Sequence, residues 1–430
     1  MYLRYLISGC LFFICLTVDA QKISTSFAGL AGDVVKAIYI GENGNKYFGT
    51  NQGLSVFDGI TWLNYGTGSF LSFPSINDLL LDEANVPATI WIATTGGLTV
   101  ADYSGGEFSN PVSYAQSNGL LGNEILSLSR DKLGTQFAAA SAGINYLENT
   151  IWNSIVYSFF PANIPNAPVR KIYCHKDSLY VATSGGIGRF VNTVDGITGA
   201  SRWTSEYGIS PLSGDITAVF VDSKGNQWFG TSAGLEKHVG TYAKSGWSLF
   251  TVSEGLVNNY VLDINESPMG DIWIATKGGL SIYKNPVWQS LQKKDGLVCD
   301  TVYDIAFDKD GSVWLATHKG VSHYQSGSFE NYVAGLEKGN KLFPFEIVYF
   351  PGKDNVEFVF DLIKPQWISL SVYSVSGQLL SILNNKTLPA GRNTLSWKHH
   401  SNHQITSRGI YIIRFQSPDL IYSKKFILIP

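Results

Sequence analysis

Lys277, His318 and Lys319 occupy matching places in two copies of one short motif, "ATKGGL" (275–280) and "ATHKGV" (316–321). If those two turns lie side by side, the three cations form a basic patch for an anionic group such as a sugar acid. If they do not, they are ordinary solvated turn residues. Asn51, Gln52 and Thr95 fill the same place in two further copies. Asn123, Asn259 and Asp300, from the loops that lead into three copies, add polar groups to the same candidate ligand site. Other chemical signals fare worse. Ser232 in "GTSAG" (230–234) matches G-x-S-x-G, but a nucleophile elbow needs a strand–turn–helix, and this turn belongs to a repeated β motif. "DKDG" (308–311) opens like a calcium loop and lacks the later glutamate, so it reads as a turn. His399 and His403 stand at H-x-x-x-H spacing, but with His400 they sit in a loop near the C-terminus, and no metal ligand is read from them. No catalytic residue, metal ligand or cofactor motif is assigned. An enzyme, such as a polysaccharide lyase or hydrolase, would need carboxylates, histidine or tyrosine converging on one site.

What positions the candidate residues is a repeat. Aligned on one glycine, the copies read "KYFGTNQGLSVF" (46–57), "IWIATTGGLTVA" (90–101), "QFAAASAGINYL" (136–147), "LYVATSGGIGRF" (179–190), "QWFGTSAGLEKH" (227–238), "IWIATKGGLSIY" (272–283) and "VWLATHKGVSHY" (313–324). Their glycines, Gly53, Gly97, Gly143, Gly186, Gly234, Gly279 and Gly320, are 41 to 48 residues apart. That is the period of a four-stranded propeller blade. Six residues before each glycine stands an aromatic, Tyr47, Trp91, Phe137, Tyr180, Trp228, Trp273 or Trp314. One ring per blade fills the gap between neighbours, and burying each is worth about 1.5–3 kcal/mol. A second aromatic series (Trp62, Phe108, Trp152, Trp203, Trp247, Trp288, Phe329) is placed on the outer strands. Alternating stretches such as "TVYDIAFD" (301–308) supply the inner strands. The expected fold is all-β: a seven-bladed β-propeller over 21–335, then a linker (336–345) and a small immunoglobulin-like β-sandwich over 346–430. For ring closure, "GSFENY" (327–332) and "KISTSFAGL" (22–30) compete for the outermost strand, or both join to make five. Longer connections at 191–202 and 236–246 fall on the face opposite the candidate site.

Composition agrees. The chain has 430 residues, 44 glycines, 13% aromatic and only 15% charged residues, which suits short strands and tight turns. Net charge is −3 with no basic run, so nucleic acid is not an expected partner. Residues 1–20 read as a signal peptide, with Arg4 ahead of an apolar run and cleavage between Ala20 and Gln21. The run is too short to span a bilayer, and no span is expected in the mature chain. "ISGC" (7–10) is a rival lipoprotein box, disfavoured because the apolar run continues past Cys10. Removal of the signal leaves Cys174 and Cys299 in non-adjacent repeats, so both are expected as free thiols.

The pattern W-x-G/A-T-x-x-G-L, led by "EGLVNNYVLDI" (254–264), "DGLVCDTVYDI" (295–305) and "AGLAGDVVKAI" (28–38), resembles the two-component regulator propeller repeat. The resemblance covers about 22–335. In that family the repeats often form periplasmic sensors of hybrid histidine kinases that bind glycan fragments. No kinase region follows here, so a complete sensor is not expected. The last eighty or so residues resemble the type IX secretion sorting domain. Val372, Tyr373 and Gly377 fit its second element, Ala390, Gly391 and Trp397 its third, Arg408, Gly409 and Tyr411 its fourth, and Lys424 and Lys425 its last. "FPGKDN" (350–355) replaces the usual P-N-P start, and arginine stands at 408 where serine is usual. The resemblance implies Sec export, passage by the type IX machinery, and release or lipopolysaccharide attachment at the surface of a Gram-negative bacterium. The leading expectation is a secreted or cell-surface binding protein for a glycan or protein ligand. A surface part of the secretion apparatus is a further alternative, since one such part joins propellers to a sorting-like domain.

Overall fold

The computed structural model describes residues 25–428 apart from 60–61, 68, 105–106, 149–150, 157–167, 177, 193–202, 209–214, 241–245, 335–345, 350–354, 363–364, 375–377, 399, 402–403, 406–408 and 417–420. Ala20, Gln21, Gly377, Arg408, the linker, and residues 193–202 and 241–245 of the two long outer connections fall outside the described residues.

Each copy of the motif folds as its own antiparallel sheet, giving seven sheets among the described residues: 35–65, 76–114, 125–156, 169–208, 216–250, 261–291 and 302–334. These are blades one to seven. Their first strands, from Val35–Ile40 in blade one to Val302–Phe307 in blade seven, contact one another in sequence and close the ring from seven to one. Each blade is one-faced until it meets a neighbour, and the aromatic series supplies the contact. Tyr47 packs on Tyr103 of blade two, Trp91 on Trp152 of blade three and Trp228 on Tyr283 of blade six. Trp314 completes the circle against Phe48 of blade one. All seven rings are buried. The second aromatic series lies on the outer strands, as expected.

Both candidate strands join at the closure. Thr25–Leu30 pairs in parallel with Ser328–Ala334, so blade seven has five strands. The parallel direction follows from the fourth strand's free edge and the short run from Leu30 to Val35, which takes the chain directly into blade one.

The repeated threonine closes the motif turn. In six blades its Oγ–H donates to the carbonyl three residues on, the motif glycine, at 2.7–2.9 Å. The same oxygen accepts the N–H two residues on. Blade three has Ala140 there and lacks both bonds. Ala140→Thr is therefore expected to stabilise the protein by about 0.5–1.5 kcal/mol. Urea unfolding would check it, and a destabilised variant would mean that blade three has no room for the hydroxyl.

Among the described residues the C-terminal part forms two main sheets, Glu346–Tyr349, Asn355–Leu362 and Gly391–Lys398 in one, and Leu379–Leu388, Gln366–Ser374, Gly409–Gln416 and Ile421–Leu428 in the other, with a small two-stranded ribbon of His400–Ser401 and Gln404–Ile405. Phe358, Phe360 and Trp397 from the first meet Ile368, Leu370, Ile413 and Phe415 from the second in one buried cluster. Tyr411 is buried against Trp397, with ring centroids 5.2 Å apart. Tyr373 pairs with Ile412, Lys424 with Ile413, Lys425 with Ile412 and Gly409 with Leu428, so these residues are strand positions of one sheet.

Candidate functional site

The leader loop enters each first strand at the end where the second strand leaves, because the two run antiparallel. The motif turn therefore bonds back to its own leader. Lys277 N donates to Tyr260 O at 3.1 Å, and His318 N to Thr301 O at 3.1 Å. Thr301 joins the two turns, since its Oγ1 also reaches Lys277 O at 3.4 Å. Lys277 and His318 thus share one end of the channel on adjacent blades, and both are exposed with Lys319. Two of the three basic groups have an aromatic partner. Lys277 Nζ stands 3.5 Å from the centre of the Tyr260 ring, a cation–π contact. Tyr303 OH and His318 Nδ1 share a hydrogen bond of 3.0 Å.

The three leader-loop residues do different work. Asn123 Oδ1 accepts Gln116 N at 2.9 Å, Asn259 Oδ1 accepts Val252 N at 2.9 Å, and Asp300 Oδ1 accepts Lys293 N at 2.6 Å. All three close the same seven-residue loop, so their oxygens hold the mouth's shape. Of the six expected residues, Lys277, His318 and Lys319 are the ones that keep a charged or ionisable group exposed there.

Sequence reasoning missed a second ring of mouth residues. In every blade the register shifts between the first and third residues of the first strand. A bulge of this kind re-aims the residue within it. Those residues include Lys36, Asn77, Arg170, Thr217 and Tyr303, and several reach the next blade. Lys36 Nζ donates to Asn77 Oδ1 at 2.8 Å, Asn77 Nδ2 to Ile125 O at 2.9 Å, and Thr217 Oγ1 to Val261 O at 2.7 Å. Arg170 Nε donates to Asp215 Oδ1 at 3.2 Å. The available signal was the residue after the first aliphatic of each inner strand.

One position further along lies a belt of charge. Asp78 Oδ2 accepts Leu128 N at 2.8 Å, Asp263 Oδ2 accepts Ile305 N at 3.2 Å, and Asp304 Oδ2 accepts Ile38 N at 2.7 Å, each from the following blade. Blade four places Lys171 there, and its Nζ reaches Asp263 Oδ1 at 2.5 Å. Burial would lower the Lys171 pKa, but Asp263, Asp304 and Asp78 outweigh it and hold the ammonium above the usual lysine range. Burial pushes the Asp78 carboxyl up, against the pull of Lys171. Burial, and then the neighbouring Asp263, push Asp304 well up.

The remaining motifs are structural. Ser232 lies in the threonine-closed turn of blade five. In "DKDG", Asp308 pairs with Lys46 at 2.7 Å and Asp310 caps Ser312 N at 2.8 Å. Cys174 and Cys299 are free thiols, and burial pushes Cys174 up to about 12. Among the described residues no group of three or more histidine, cysteine or acidic side chains is arranged to hold a metal, and no helix is long and apolar enough to cross a membrane.

Residues 296–319, which hold Asp300 and His318, match the family profile described as two component regulator propeller. No curated protein sequence matches the chain. Among solved structures, PorZ of Porphyromonas gingivalis, described as an essential bacterial surface component of the type-IX secretion system, is similar over 94% of this chain at 15% identity and a TM-score of 0.57. This chain covers 60% of that protein's length. The extracellular domain of the hybrid two component system BT3049 from B. thetaiotaomicron is similar over 91% of this chain and 67% of its own, at 16% identity and a TM-score of 0.46. YCF48 from Cyanidioschyzon merolae is similar over 69% and 96%, at 15% identity and a TM-score of 0.48. At such identities the likeness is one of fold: this is an all-β propeller carrying a two component regulator propeller match in its seventh blade.

Proposed function

We propose that this chain is a secreted or cell-surface binding propeller whose ligand, a glycan or a protein, sits at the channel mouth formed by the motif turns. The observation that carries this reading is the pairing of basic side chains with tyrosines there, Lys277 over the Tyr260 ring and His318 hydrogen-bonded to the Tyr303 hydroxyl. Such a surface suits an acidic sugar, which offers a carboxylate to the cations and a ring face to the tyrosines. In this reading residues 346–430 form an immunoglobulin-like sorting domain that directs type IX export, with signal cleavage after Ala20.

The test is a glycan array probed with the full mature chain and with the Lys277→Ala/His318→Ala/Lys319→Ala variant. Saturable binding by the parent, weakened roughly tenfold or more in the variant, is the expected result. No binding by the parent defeats the glycan reading. Weight then passes to a part of the secretion apparatus, a role supported by the likeness to PorZ across nearly the whole chain.

A further inference from the structure

The other end of the channel holds a cavity of about 350 Å³, within the usual range of small-ligand sites. It lies where the first strands end and turn outward, the face away from Lys277. Tyr39, Leu81 and Phe307 supply apolar wall from blades one, two and seven, and Arg130 reaches it from blade three.

The polar groups have a definite arrangement. Arg130 is backed by Asp82, whose side chain is 1% exposed, with Nε 3.1 Å from Asp82 Oδ2. Asp82 also holds Gln136 and Asn85, so the carboxylate is a fixed anchor. The contact is an ion pair without an aligned Nε–H bond, and no hydrogen bond from either Nη group is seen among the described residues, so the paired guanidinium keeps open donors. Lys309 Nζ donates to Glu42 O at 2.8 Å and lies on the cavity lining. Two carboxylates face these cations from the lining. Glu83 accepts Glu42 N at 3.0 and 3.1 Å and the Tyr39 hydroxyl at 3.4 Å, while Glu42 is exposed at the rim.

A site with both signs of charge does not suit a plain anion. It suits a ligand that carries a carboxylate and N–H donors a few ångströms apart. Apolar surface narrows the class further. Beside the cavity, the turns that follow Ala84 and Arg130 expose Val86 completely and Leu133 to 63%. A hydrated sugar acid gains little from such surface, whereas an apolar peptide side chain gains burial.

We propose that this cavity binds the free carboxyl end of a peptide chain. Arg130 and Lys309 take the terminal carboxylate, a fork geometry matched to two oxygens. Glu42 and Glu83 face the last backbone N–H groups, and the final side chain rests between Tyr39, Leu81 and Phe307. The site is separate from the mouth of the proposed glycan reading, and either can fail alone.

The test is fluorescence polarisation with the full mature chain and labelled tetrapeptides ending in leucine or phenylalanine, made as free acids and as carboxamides. D-glucuronate serves as a competitor. The free acids are expected to bind saturably, and the carboxamides roughly tenfold more weakly or less well still. Arg130→Lys keeps the charge beside Asp82 but loses the fork, and should weaken binding by a similar factor. Ala84→Trp fills the cavity from a surface turn and should abolish binding without altering the unfolding midpoint. Lys277→Ala should leave binding unchanged. Equal binding of acid and carboxamide, displacement by glucuronate as effective as by unlabelled peptide, or no binding by any free acid would overturn the proposal. So would binding that survives Ala84→Trp.

Discussion

Lys171→Met is expected to destabilise the protein by about 3–5 kcal/mol at pH 8, the range for removing one partner from a buried ion pair. Lys171 is the cation at the centre of the charge belt, and three carboxylates, Asp78, Asp263 and Asp304, act on it. Its side chain keeps 29% exposure to the channel, against 8% for Asp263, so the aspartate is the more deeply desolvated partner. Methionine matches the lysine stem in volume and removes only the charge. The pH dependence gives the test its sign. Asp78 and Asp304 already have folded pKa values raised above their unfolded ones. Groups of that kind contribute stability that is fully present below the unfolded pKa, near 4, and lost as pH rises through the folded value. Without Lys171 to oppose burial, those folded values rise further. The deficit of the variant should therefore be largest at pH 8 and shrink by pH 5, as the carboxyls bind protons. Adding Asp263→Asn should recover part of it at pH 8, because the amide keeps an acceptor for Ile305 N without the charge. Urea unfolding at both pH values decides the matter. A deficit that is the same at pH 5 and 8 would show that Lys171 acts through packing and not through charge.

Gly320→Ala is expected to cost about 3–5 kcal/mol, and to exceed the same change at Gly311 by roughly 2 kcal/mol. Both glycines have positive φ, +116° at Gly320 and +81° at Gly311, so alanine is strained at each. The difference lies in what a methyl group would meet. At Gly311 the space is open, whereas at Gly320 the methyl collides with the backbone carbonyl of Tyr332 on the fourth strand of the blade. A carbonyl in a paired strand cannot move as a side-chain tip can. Here that strand also carries the N-terminal strand that closes the ring. Guanidinium unfolding of the two variants provides the comparison. Equal losses would mean that backbone conformation alone, and not the close approach, explains the motif glycine.

These two residues divide the legible from the illegible. The need for glycine at 320 is visible in the sequence as a repeat, at a place where a turn is expected. Turn chemistry is part of the answer, but the oxygen it must avoid belongs to Tyr332, twelve residues away on another strand. The loop-closing role of Asn123, Asn259 and Asp300 was hidden for a similar reason. Each side chain folds back over seven residues of loop, and its type alone does not separate a cap from a ligand contact. Lys277, His318 and Lys319 stand out in the sequence because they are basic at motif positions that are small or neutral in the other copies. Their ring partners Tyr260 and Tyr303 sit in leaders and inner strands, where they looked like ordinary strand residues.

By itself the sequence determined the period, the blade count, the buried aromatic series and the strand order within each blade. All of these follow from local rules: side chains alternate along a strand, turns need particular residues, and an apolar face must be covered. Tertiary structure alone decided how the ring closes, which charges meet and where the cavities lie. Lys171 and Asp263 are 92 residues apart and two blades distant, and Asp78 is as far on the other side. Nothing in their local sequence marks them as partners. They meet because closing the ring brings equivalent strand positions to one axis, where low dielectric makes each charge depend on all the others.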